Sequence, residues 1–196
     1  MKRLIAVLLC VLAFPALATT GPEQLIKETS DKVLDEIKNN AQKYRDDPQR
    51  IYELVDTLVL PHFDFSAMTD LALGRYKDEV SSEQRPEIVN EFRQLLVRTY
   101  SLALLEYTDQ QLVYLPMEGS EADGLVTVRT EIEQAGGFPI PINYTLRLGD
   151  DGWKVFDISV DDVSLVTNYR SSFARAIKKD GVDGLIKTLR DRNQGQ

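Results

Sequence analysis

The chain is 196 residues long, carries a formal charge of −8, and is 43% hydrophobic. That acidity argues against nucleic-acid binding and against permanent residence on an anionic membrane surface. One histidine (His62) and one cysteine (Cys10) are too few for a His-based or thiolate metal centre. The length suits one sizeable core, so a single domain is expected.

Residues 1–18 read as a secretory signal peptide. Lys2 and Arg3 form a basic start, Leu4 to Phe14 an apolar stretch, and Ala16-Leu17-Ala18 a small-residue cleavage site. The apolar run is too short for a permanent anchor. Leu9 stands before Cys10, where a lipoprotein site needs a small residue, so lipid attachment is not expected. Cleavage would leave residues 19–196 with no cysteine, hence no disulfide and no thiol nucleophile.

After the leader the pattern is helical. Pro22 suits a first turn, and Leu25, Ile26, Val33, Leu34, Ile37 and Ala41 follow at helical spacing until Asp47-Pro48 breaks it. Ile51, Leu54, Val55, Leu58 and Val59 mark a second helix, ended by Pro61. Asp64 is placed to cap a third, with Met68, Leu71 and Ala72 inward and Gly74 as its stop. A fourth is predicted from Ser82 to Tyr107, on the stripe Ile88, Phe92, Leu95, Leu96, Thr99, Tyr100, Ala103, Leu104 and Tyr107. It would be roughly 39 Å long, a length suited to backing a sheet.

The period then becomes two. Strands are predicted over Gln111–Met117, Leu125–Gln134, Ile140–Leu148 and Trp153–Val160, with Gly136-Gly137 as a turn and Gly149-Asp150-Asp151-Gly152 as a hairpin loop. Val126, Val128, Thr130 and Ile132 share one face; Ile140, Ile142, Tyr144, Leu146 and Leu148 share another. The last strand is apolar on both faces and reads as central or bulged. A helix holding Leu165, Val166, Tyr169, Phe173, Ala176 and Ile177 and one holding Val182, Leu185, Ile186 and Leu189 close the chain. The expected architecture is α+β: a curved antiparallel four-stranded sheet with helices packed around it.

The chemistry expected of an enzyme is sparse. Ser81-Ser82 and Ser171-Ser172 lack a glycine elbow, and His62 would be the only histidine base. One enzymatic alternative stays open: a buried Asp157 working with Tyr144 or Tyr169 as an acid–base pair, in the manner of small cone-shaped isomerases or hydrolases. Against it, Asp157 pairs with Arg170 or another base, or caps the following helix. Between Val163 and Arg192 seven bases (Arg170, Arg175, Lys178, Lys179, Lys187, Arg190, Arg192) face three acids (Asp180, Asp183, Asp191). This is either a solvated helix face or a docking surface or headgroup contact; Arg170, Arg175, Lys178 and Lys179 are the docking candidates.

An ordered set of short motifs resembles the MlaC, or toluene-tolerance, family of periplasmic phospholipid carriers. It comprises Phe63-Asp64-Phe65 with Met68, Leu73-Gly74-Arg75, Gln84-Arg85 leading to Phe92, Leu95-Leu96, Thr99-Tyr100, Pro139-Ile140, Tyr144, Trp153 to Phe173 and Gly184-Leu185-Ile186. The chain departs from it at Asp161-Asp162, where Glu-Gly or similar is expected. The resemblance implies a fold like that of nuclear transport factor 2 around a lipid pocket. It implies glycerophospholipid as cargo, no catalysis and no cofactor. The implied partners are an outer-membrane lipoprotein–porin complex and an inner-membrane ABC transporter with an MCE-domain subunit, with only transient membrane contact.

Alternation and helix stripes give a candidate pocket lining: Phe92, Leu96, Tyr100, Leu104, Val126, Val128, Ile132, Ile142, Tyr144, Leu146, Val155, Val166, Tyr169 and Phe173. The scale fits, because a strand of seven to nine residues spans roughly 23–30 Å and one leaflet's hydrocarbon is about 15 Å deep.

Overall fold

The computed structural model describes residues 20–106, 110–134 and 136–195; the expected leader lies outside these. Six helices and five strands follow in chain order: α1 (Pro22–Asn39), α2 (Ala41–Asp46), α3 (Arg50–Leu58), α4 (Phe65–Leu73), α5 (Gln84–Tyr100), β1 (Gln111–Ser120), β2 (Leu125–Glu133), β3 (Ile140–Gly149), β4 (Gly152–Val160), β5 (Val163–Ser164) and α6 (Arg170–Gln194). Pro22 opens α1 as expected, but the first helical stretch is divided at Asn40, which bonds back to the Glu36 carbonyl.

The strands form one sheet, ordered β1-β2-β3-β4-β5, with every neighbouring pair antiparallel. Five strands replace the expected four. The fifth was too short to show a period: it is two residues long and reached through Asp161 and Asp162, both at positive φ (51° and 61°). Two adjacent left-handed residues match a tight hairpin turn, which glycine or asparagine usually occupies.

Register sets the inner face. Val126, Leu146 and Val155 form one cross-strand row; Val128, Tyr144 and Ile158 form the next; Tyr114, Thr130, Ile142 and Val160 form a third. Two irregularities interrupt the pairing. Pro116 and Met117 of β1 together oppose Val128, and Phe156 of β4 is an extra residue between Val155 and Asp157. Such bulges bend strands and re-aim side chains. The one at Phe156 explains why β4 is apolar on both sides: Val155 packs with the sheet, while Phe156 packs against the helices. β4 is bulged but not central, because only the two-residue β5 lies beyond it. Leu148, expected on the inner row, is exposed at the far end of β3.

Three apolar clusters form the interior. The first joins α4, α5 and α6 through Met68, Ala72, Ile88, Phe92, Phe173 and Leu185. The second packs Ile26 of α1 on Val126, Val128, Leu146, Trp153 and Val155. The third ties α1, α2 and α3 through Val33, Ile37, Tyr44, Ile51 and Leu54.

α5 stops at Tyr100, short of the predicted Tyr107, which lies outside the described residues. At 17 residues it is about 26 Å long, not 39. Ser101–Glu106 continues as a 3-10 turn. Its tighter winding takes side chains off the α-helical stripe, so Leu104 and Leu105 join the third cluster instead of extending the Phe92 row. α6 is broken at Gly181 (φ 72°, ψ −172°), which gives two closing helical segments as predicted, but the first begins only at Arg170: Leu165 and Val166, expected within it, lie between β5 and the 3-10 turn Thr167–Tyr169.

The segment before α4 links helices to sheet. Asp64 caps α4 by accepting from the Ala67 N–H (2.9 Å), while its own N–H donates to the Val155 carbonyl (2.8 Å). Arg147 of β3 donates Nε to Asp64 Oδ2 (2.8 Å), and Lys154 Nζ donates to the Pro61 carbonyl (2.7 Å). Phe63 pairs with Val155 in a parallel bridge and touches both the helical and the sheet cluster. Replacing Asp64 by Ala removes the cap and the guanidinium bond together. The expected cost is about 2 kcal/mol, a fall in Tm of roughly 4–8 °C for a domain of this size. Asp64→Asn should lose less, since Asn also caps; thermal unfolding followed by circular dichroism checks both.

Candidate functional site

The inner face of the sheet is covered unevenly. Around Val126, Leu146 and Val155 the packing is closed, with Trp153 and Ile26 completing it. Toward the opposite end of the strands coverage thins. Val128, Thr130 and Ile132 of β2 stay buried, whereas Ile142 and Tyr144 of β3 and Ile158 and Val160 of β4 are only half-buried. Thr130 satisfies its hydroxyl by donating to the Ile142 carbonyl (2.8 Å).

On the helical side, Phe92, Tyr169 and Phe173 meet edge to face, with centroids 5.1 Å apart for Phe92–Tyr169, 5.0 Å for Phe92–Phe173 and 6.0 Å for Tyr169–Phe173. That arrangement suits the aromatic quadrupoles. Tyr169 and Tyr100 are half-buried and share a hydroxyl hydrogen bond. Burial first, then the charge interaction with Tyr169 and this bond, push the Tyr100 phenol up to about 12. The two hydroxyls add a polar pair to this otherwise apolar region.

The predicted lining residues therefore separate into groups. Phe92, Leu96, Val166 and Phe173 lie in the closed helical core; Val126, Val128, Leu146 and Val155 in the closed sheet core; Ile132 is buried near the strand end. Tyr100, Leu104, Ile142, Tyr144 and Tyr169 are half-buried, and of these Leu104 packs with the third cluster, apart from the rest. Sequence reasoning missed Phe63, Phe156, Ile158 and Val160. Their signal was the doubly apolar β4, which could be resolved only by knowing where the bulge falls.

The docking candidates Arg170, Arg175, Lys178 and Lys179 are all exposed on α6. Arg170 is tied down, donating Nε to the Leu71 carbonyl (2.7 Å), and Lys179 lies 3.2 Å from Asp180. Arg170 thus braces α4 against α6.

Asp157 and Tyr144 do not form an acid–base pair. Tyr144 is directly opposite Ile158, while Asp157 is opposite Thr145, so alternation sends their side chains to opposite faces of the sheet. Asp157 instead accepts from Ser164 Oγ (2.8 Å), and that Oγ accepts from the Thr167 N–H (3.0 Å) at the start of the 3-10 turn before α6. Burial raises the Asp157 pKa above its ordinary value, opposed first by the Ser164 bond and then by backbone N–H groups and Arg170. The other enzymatic partner, Tyr169, shares its hydrogen bond with Tyr100.

An antiparallel sheet whose inner face is buried at one end and half-buried at the other, together with a helical core rich in aromatic residues, defines an α+β domain built around an apolar interior. The MlaC protein family matches residues 27–191, and the chain belongs to that family. It is 28% identical over 177 residues to the intermembrane phospholipid transport system binding protein MlaC of Haemophilus influenzae, covering 89% of this chain and 83% of that one. It is 25% identical over 190 residues to the toluene tolerance protein ttg2D of Pseudomonas putida, covering 96% and 87%. Its fold matches a solved phospholipid-binding protein of Ralstonia solanacearum in complex with a phospholipid, with a TM-score of 0.80 and 33% identity, covering 88% of this chain and 97% of that one.

The raised Asp157 pKa has a definite sign for stability. The folded carboxyl keeps its proton to a higher pH than the unfolded one. The folded state therefore binds more protons in the interval between the two pKa values, and its stability falls as pH rises through it. Asp157→Asn, which retains an acceptor for Ser164, is expected to lack that fall. Urea unfolding of both proteins from pH 3 to 7 should show the variant gaining relative to the parent as pH rises past the ordinary aspartate value, then holding its lead.

Proposed function

We propose that this protein is a periplasmic carrier of glycerophospholipid, exported by the leader at residues 1–18, that holds its cargo by the acyl chains. The observation that carries the reading is the half-buried end of the inner face. Ile142, Tyr144, Ile158 and Val160 lie there on adjacent strands, and Tyr100 and Tyr169 stand half-buried on the helical side. The phospholipid held by the 33%-identical Ralstonia protein supports it, since that likeness spans 88% of this chain.

At about 0.8 kcal/mol per methylene, exposing two long acyl chains to water costs on the order of 20 kcal/mol or more. A carrier must therefore shelter the tails and can leave the headgroup in solvent. Helices that separate from the sheet by a few ångströms at its half-covered end would open an apolar slot of NTF2-like form, with Phe156 and Phe63 on its helical flank. The closed rows at Val126, Leu146 and Val155 act as its rigid floor. The residues tied to other bonds, Asp157 above all, have a structural part and no catalytic one.

Shuttling would run between an outer-membrane lipoprotein–porin complex and an inner-membrane ABC transporter with an MCE-domain subunit, the partners implied by the family. Arg175, Lys178 and Lys179, exposed on α6, are the basic side chains available for contact. Among the described residues no helix is long and apolar enough to cross a membrane, which suits a shuttle. Direction would follow from the relative affinities of donor and acceptor for lipid.

Ile142→Trp places a large ring in the half-buried row. It is expected to lower phospholipid transfer between donor and acceptor vesicles at least tenfold while the protein stays folded. Asp157→Asn should leave transfer unchanged. A folded Ile142→Trp protein with full transfer would remove the slot from this end of the sheet, and loss of transfer in Asp157→Asn with intact folding would revive a chemical role for that carboxyl.

A further inference from the structure

The loop between β2 and β3 carries Phe138 with 93% of its surface exposed. Single exposed apolar residues are ordinary, but this one is both bare and held. Pro139 fixes the backbone beside it, the Gly137 N–H donates to the Gln134 carbonyl (3.3 Å), and the Asp161 N–H donates to the Pro141 carbonyl (2.9 Å). That last bond brings the β4–β5 turn against the same strand end, where Val163 is also exposed.

The surroundings are acidic. Glu131, Glu133, Asp161 and Asp162 belong to these two segments, and among the described residues of 131–141 and 159–163 there is no lysine or arginine. The positive φ of Asp161 and Asp162 makes this a tight turn, with both residues exposed at its tip. An exposed aromatic side chain with acidic residues on its own and the adjoining segment has the form of a binding anchor: the ring fills a pocket and the charges select the partner. An anionic bilayer would be repelled by this rim.

We propose that the Phe138 end of the sheet is a protein-docking knob, whose partner offers an apolar socket rimmed by lysine or arginine. It lies at the strand end next to Ile142 and Val160, so a partner seated there stands over the opening of the lipid slot. That placement rests on the carrier reading above.

The test is photocrosslinking in living cells with p-benzoylphenylalanine in place of Phe138, and in place of exposed Leu125 at the other end of the sheet as a control. The expected result is one discrete protein adduct at 138 and none at 125. The crosslinked peptide should hold apolar residues beside lysine or arginine. Glu133→Lys combined with Asp162→Lys should reduce the adduct at least tenfold, with an unchanged melting curve. Absence of an adduct, an adduct with lipid, an adduct with a second copy of this chain, or one indifferent to the charge reversals would each overturn the proposal. Phospholipid content of Phe138→Ser, measured by native mass spectrometry, should equal that of the parent. A parent protein without lipid would sink the carrier reading while leaving the crosslinking result to stand by itself.

Discussion

The packing of helices on sheet depends on one joint above others, the attachment of the Pro61–Asp64 segment to β3 and β4. Asp64 both starts α4 and binds the sheet, through its N–H on Val155 and its carboxylate with Arg147. A single carboxylate satisfying a helix N-terminus and a guanidinium together is a strong, directional contact. It fixes α4 to the closed end of the sheet, beside Val155 and Leu146. The helical layer is thus anchored at the end where packing is complete, and near Tyr169 it meets β4 through Asp157, whose carboxylate accepts from Ser164 Oγ while that oxygen accepts from the Thr167 N–H. A sheet whose inner face is closed at one end and half-buried at the other suits the carrier reading, which needs room for something thin and apolar.

The energetic demands on such a layer pull in opposite directions. The closed rows must hold the chain together without disulfides, which places stability in side-chain packing, in caps such as Asp64 and in braces such as Arg170 on Leu71. On the carrier reading the half-buried rows must stay less well packed, because a region at full native density has no room for acyl chains. Closed and half-buried residues share clusters: Tyr100 and Tyr169 lie at the margin of the first, Tyr144 and Ile158 at that of the second. The hydrogen-bonded Tyr100 and Tyr169 suit such a boundary, since each has an apolar body and a polar tip.

Much of this was readable in advance, and the failures have physical causes. Helices up to Gly74 were legible because Pro22, Asp64 and Gly74 act locally, through backbone geometry and capping. β2 was legible because one of its faces is buried along its length, which imposes strict alternation. The end of α5 was not, because Ser101–Glu106 has helix-favouring residues and only tertiary packing of Leu104 and Leu105 turns it into a 3-10 path. β5 was too short to have a period. The candidate site was half legible. Stripes and alternation identify which residues face inward, but Phe92, Leu146 and Tyr100 give the same signal although the first two are closed in and the third is not. Degree of burial depends on what lies opposite, and the single inserted residue at Phe156 decides that for β4.

The claim that this interior exists to hold lipid is tested most directly by native mass spectrometry of the protein purified from a bacterial periplasm, followed by denaturation and lipid analysis. The account predicts one phospholipid per chain, with mixed headgroups, because the tails and not the headgroup are what the fold shelters. A lipid-free protein that stays folded and takes up no phospholipid from vesicles would contradict it.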